Sequence, residues 1–136
     1  MKTVFYARVI DAVSDTPIEN GMVVVDDDKI IYVGEEKEYD DPSAATYRLE
    51  GKTIMPGFID AHAHLCGEES IHKSGDTPYD LLLTTVQDLK DLVDAGVTGV
   101  RDMSAFGASL KRAIEAGNIT GPRIMPGGRV MSISSG

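Results

Sequence analysis

Over the first 55 residues short apolar runs alternate with polar breaks, at the length and spacing of β-strands. Residues 3–10 are rich in β-branched and aromatic side chains and predict a first strand. Residues 14–21 carry turn chemistry in Asp15, Pro17, Asn20 and Gly21, and residues 22–25 predict a second strand. Asp26-Asp27-Asp28-Lys29 turns the chain into a third strand, residues 30–33, closed by Gly34. The acidic stretch 35–43 reads as a loop, and residues 45–49 and 53–55 complete a small sheet. A meander of strands this short needs a partner layer to bury its apolar face.

From Pro56 the rhythm changes to strand, helix, strand. Residues 58–65 predict a strand, on which Asp60, His62 and His64 share one face and Ile59, Ala61, Ala63 and Leu65 the other. Residues 66–76 read as a loop. Thr77-Pro78-Tyr79-Asp80 starts a helix, with Thr77 as N-cap, Pro78 at the first helical position and Asp80 completing a capping-box pattern. Leu82, Val86, Leu89 and Val93 form one apolar stripe, and Gly96 ends the helix. Residues 97–102 are the next strand. Phe106, Leu110, Ala113 and Ile114 predict a second helix stopped by Gly117. Residues 122–130 predict a third strand, which Gly127-Gly128 bends or ends. The alternation predicts an α/β unit with a parallel sheet and right-handed crossovers. Three strands do not close a barrel, and the sequence runs out in Ser132-Ile133-Ser134-Ser135-Gly136, where another helix is expected. The chain therefore reads as the front part of a larger design, whose open sheet edges and helix stripes favour oligomerisation.

Composition narrows the field. A chain of 136 residues with 42% hydrophobic and 26% charged residues has room for one small domain or part of a larger one. The net charge is −9, and the stretch from Asp26 to Asp41, with eight acids and two lysines, holds six of those charges. That balance speaks against nucleic acid or an anionic membrane as partner. The single cysteine, Cys66, excludes an intramolecular disulfide and fits a reducing compartment. No signal peptide or apolar span is visible, so the cytoplasm is the expected location.

Candidate chemistry centres on the two histidines. Two imidazoles side by side at a strand end can grip one divalent metal from the same direction, which suggests metal-assisted hydrolysis. Asp60 shares their face and either orients a ligand imidazole or bonds to backbone. Arg101 and Asp102 end the next strand and either act near a substrate or form a structural ion pair. His72 reads as an exposed loop residue, Cys66 as a buried inert thiol, and Met125 and Met131 as core filler. There is no phosphate-cradling glycine loop, no nucleophile elbow centred on serine and no CxxC pair.

The run Pro56-Gly57-Phe58-Ile59-Asp60-Ala61-His62-Ala63-His64 resembles the first-strand signature of the amidohydrolase superfamily. Upstream, Asn20-Gly21 and Lys29-Ile30-Ile31-Tyr32-Val33-Gly34 resemble the small β-sandwich that precedes the barrel in that family. Gly96-Val97-Thr98-Gly99-Val100-Arg101-Asp102 resembles its second barrel strand. The stretch from Ala113 to Arg123 is similar to imidazolonepropionase-related and prolidase-like members. The resemblance implies a β-sandwich segment over residues 1–56, followed over residues 57–136 by the first βα units of a (β/α)8 TIM barrel. It implies hydrolysis of C–N bonds in a small-molecule or dipeptide-like amide, with one or two divalent metals, most often zinc. His62 and His64 would bind the more buried ion. The family's bridging lysine, further histidines and the aspartate that acts as general base come from later strands, beyond residue 136. The implied partner is a second copy of the chain, or the remainder of the barrel supplied by another segment. The alternative is a catalytically inactive family fragment with a structural, assembly or metal-binding role.

Overall fold

The computed structural model describes residues 1–66 and 77–128, which divide into two units, Met1–Pro56 and Gly57–Gly136. Residues 67–76, with His72, and residues 129–136, with Met131, lie outside the described part.

The first unit is a four-stranded sheet. Its strands are β1 (Lys2–Val9), β2 (Ile18–Asp26), β3 (Lys29–Glu35) and β4 (Ala45–Ile54), in the spatial order β3-β2-β1-β4. Asp26 pairs with Lys29 across a two-residue turn, in which Asp27 takes the left-handed conformation (φ 52°) that so tight a hairpin demands. Val4, Met22 and Val24 form the buried cluster, backed by Tyr6, Tyr32, Tyr39 and Ala44.

Two expectations are corrected here. Residues 18–21 are strand rather than turn. Gly21 serves close packing, since a Cβ there would lie 2.4 Å from Cγ2 of Val9. Residues 45–54 form one strand rather than two, and the sheet is not a simple meander, because β4 runs parallel to β1. The apparent break at Glu50-Gly51-Lys52 is an irregularity within β4. The pairing slips from Tyr6↔Arg48 to Arg8↔Thr53, and Gly51 adopts a positive φ of 68°.

The second unit is α/β: β5 (Phe58–Ala63), α1 (Pro78–Asp94), β6 (Val97–Asp102), α2 (Gly107–Glu115) and β7 (Arg123–Pro126). Its three strands are parallel in the order β5-β6-β7. Helix α1 starts on a reciprocal capping box. The Asp80 amide donates to Thr77 Oγ1 at 3.3 Å, and the Thr77 amide donates to Asp80 Oδ2 at 2.9 Å. After Ala95, Gly96 leaves the helix with φ 89°. Leu89 of α1, Leu110 of α2 and Ile124 of β7 form the buried core, joined by Leu65, Leu82, Ile114 and Ile119. Strand β7 ends at Pro126, just before Gly127-Gly128, the pair expected to bend or end it, and the Gly127 amide makes a last ladder bond to the Asp102 carbonyl at 2.7 Å. Met125 is exposed rather than core filler. Among the described residues no helix is long and apolar enough to cross a membrane.

Candidate functional site

The two histidines sit where β5 leaves the sheet. Between the pairs Asp60↔Val100 and Ala63↔Asp102 the register of β5 on β6 shifts, so β5 spends three steps against two on its neighbour. Simple alternation is interrupted at this point. Asp60 turns its carboxylate onto the main chain, where Oδ1 accepts the His62 amide hydrogen at 2.9 Å. This is the backbone bond that was one of the two alternatives for Asp60. The rings of His62 and His64 nonetheless come together, with centroids 5.4 Å apart and planes tilted by 43°. Both histidines are exposed.

Arg101 and Asp102 do not pair with each other. Arg101 is exposed, whereas Asp102 is fully buried. Its Oδ1 accepts the amide hydrogens of Leu65 at 3.1 Å and Ser104 at 3.0 Å, and its Oδ2 accepts the Ser104 hydroxyl at 2.8 Å. A buried carboxylate is tolerated only when donors replace its hydration, and three do so here.

Two residues of this cluster were not singled out from the sequence. Ser104 Oγ also accepts the Cys66 amide hydrogen at 3.4 Å. Thr85 of α1 is buried, with Oγ1 placed 3.1 Å from the Leu65 carbonyl, 2.9 Å from the Leu81 carbonyl and 2.9 Å from Cys66 Sγ. The signal for Thr85 was its place beside the apolar stripe of α1. The signal for Ser104 was the Asp-x-Ser spacing, which favours a local side-chain turn. Cys66 is buried as expected, and burial pushes its thiol pKa up, partly countered by the Thr85 hydroxyl.

The donor chemistry of His62 and His64 suits a borderline-soft divalent ion such as zinc. Two imidazoles on one tetrahedral ion, each at ~2.1 Å, have ring centres roughly 5 Å apart. The observed spacing is compatible with that. A zinc site requires at least three protein ligands, and among the described residues no group of three or more His, Cys, Asp or Glu side chains gathers. The pair is thus half of a possible centre.

Comparison with known proteins adds an independent line. The profile of the amidohydrolase family matches residues 53–136. The ochratoxinase of Aspergillus niger is 26% identical over 143 aligned residues, covering 98% of this chain and 29% of the relative. The imidazolonepropionase of Fusobacterium nucleatum is 28% identical, covering 74% of this chain and 32% of the relative. Among solved structures, a prolidase complexed with N-methylphosphonate-L-proline superimposes with a TM-score of 0.84 at 31% identity, covering 97% of this chain and 33% of that one. The chain thus spans about a third of the length of the relatives it matches.

Proposed function

Because the chain belongs to the amidohydrolase family, we propose that it carries the first metal-ligand pair of a hydrolase of C–N bonds, and that its α/β unit is the opening segment of a (β/α)8 barrel. The observation that carries this reading is the exposed His62–His64 pair at the C-terminal end of a parallel strand, the end at which barrel enzymes gather their reactive groups. The β-rich first unit is the sandwich segment that accompanies such a barrel. The substrate class is a small amide or dipeptide-like molecule, in line with the names of the relatives.

His62 and His64 would hold a divalent ion, zinc by their chemistry, and a bound ion of this kind activates water and polarises a carbonyl. The chain's own contribution is positional. The Asp60 carboxylate pins the main chain at His62, and both imidazoles face solvent, where a substrate can approach. Arg101, exposed at the end of β6, is available to a substrate anion. Among the described residues no third ligand gathers with the pair.

Zinc titration followed by calorimetry tests the reading. With only two protein ligands gathered among the described residues, the expected result is weak binding of one ion per chain, with affinity reduced further by about tenfold or more in both His62→Ala and His64→Ala. Absence of binding, or binding that survives both substitutions unchanged, would overturn it.

A further inference from the structure

We propose that Asp102, together with Ser104 and Thr85, is a positioning device for the His62–His64 pair that acts through the main chain rather than through an imidazole; this rests on the pair being metal ligands, as set out above. His64 lies one residue past the last paired residue of β5, where no ladder fixes its backbone. Yet the main-chain groups flanking it are held. On one side the Ala63 carbonyl accepts the Met103 amide hydrogen at 2.7 Å. On the other, the Leu65 amide donates to Asp102 Oδ1 at 3.1 Å, the Leu65 carbonyl lies 3.1 Å from Thr85 Oγ1, and the Cys66 amide donates to Ser104 Oγ at 3.4 Å. Strand β6 and helix α1 between them therefore set the torsions on both sides of His64.

A structure needing only stability would be served by an apolar side chain in this buried place, because desolvating a carboxylate is costly. What the carboxylate adds is direction. Its Oδ1 takes two amide hydrogens from two different segments, tying the exit of β5 to the exit of β6. It differs in this from Asp60, whose bond is local to its own strand.

The conservative variant separates position from charge. In Asp102→Asn the amide oxygen can accept both main-chain hydrogens, while the NH2 group donates to Ser104 Oγ. Asp102→Ala removes all three bonds. Three quantities are measured on the 136-residue chain and these variants: zinc affinity, the nuclear Overhauser effect between the His62 and His64 rings in metal-free protein, and the urea midpoint. The expected result is an about tenfold or greater loss of zinc affinity in Asp102→Ala, the range typical of groups that orient metal ligands, with loss of the ring–ring effect. Asp102→Asn should restore both to near the parent values.

A role in stability alone would lower the urea midpoint of Asp102→Ala and leave the ring–ring effect and the zinc affinity of the folded protein intact, which would overturn the proposal. If Asp102→Ala does not fold, Ser104→Ala carries the test. It keeps both bonds to Oδ1 but frees the Cys66 amide, so a smaller loss in both readouts is expected, and unchanged values would overturn the proposal. Should zinc bind equally to the parent, His62→Ala and His64→Ala, the ligand reading fails by itself, and the ring–ring effect still decides whether Asp102 positions the pair.

Discussion

Gly107 is packed against the carboxylate of Asp102 so closely that a Cβ at position 107 would lie 2.1 Å from Oδ2. The carboxylate cannot step aside without dropping the Ser104 hydroxyl and straining the two amide bonds to Oδ1. Gly107→Ala should therefore destabilise the protein by about 1–3 kcal/mol, the usual cost of overpacking, although alanine is the better helix former. Urea denaturation measures this, and an unchanged midpoint would mean that α2 can slide away from β6 at no cost.

The start of α1 should respond to acid. The Thr77 hydroxyl and then the Thr77 amide hold the Asp80 carboxyl below the ordinary carboxylate range. Its native pKa being lower than its unfolded value, the capping interaction is fully present above ~3.9 and is lost as pH falls through the depressed native value. A carboxyl-carbon titration by NMR should place the Asp80 midpoint below that of an unfolded aspartate. Thr77→Ala should move it back toward the ordinary value and cost about 1 kcal/mol of stability. A midpoint that ignores Thr77→Ala would contradict the capping box.

Cys66 should be silent toward thiol reagents in the native protein. It is buried, and burial raises its pKa, so the neutral thiol persists in the folded state. The unfolded thiol ionises near ~8.5, so stability should fall as pH rises above that value. Labelling by an aromatic disulfide should follow the fraction unfolded across a urea series. Rapid labelling without denaturant would show that the exit of β5 opens on its own.

Much of this architecture is legible in the residue pattern. Thr77, Pro78 and Asp80 announce the start of α1, and Gly96 and Gly117 mark the helix ends, because caps are local chemistry. The irregularity in β4 was hidden because a strand that spends five steps around Gly51 against two on its neighbour looks, in one dimension, like two strands with a turn between them. Gly21 misled for the same reason: a glycine selected for close approach to Val9 has the composition of a turn. At the candidate site, the expectation that His62 and His64 come together agrees with the observed ring spacing, although His64 lies just past the end of β5 and simple alternation does not account for it. The roles of Asp60 and Asp102 depend on which partner each carboxylate finds. For Asp102 that partner, Leu65, is 37 residues away, and no local pattern encodes so distant a bond.

The parallel pairing of β1 with β4 bears on the order in which the first unit assembles. The β1–β2 and β2–β3 ribbons join neighbours through short connections and can zip quickly. By contrast, Thr3 must find Ala45 after both hairpins have been threaded, and closing so large a loop is entropically slow. The last strand to dock is thus β4, so a refolding chain would acquire its early ribbons well before the sheet of the first unit is completed on its β1 edge.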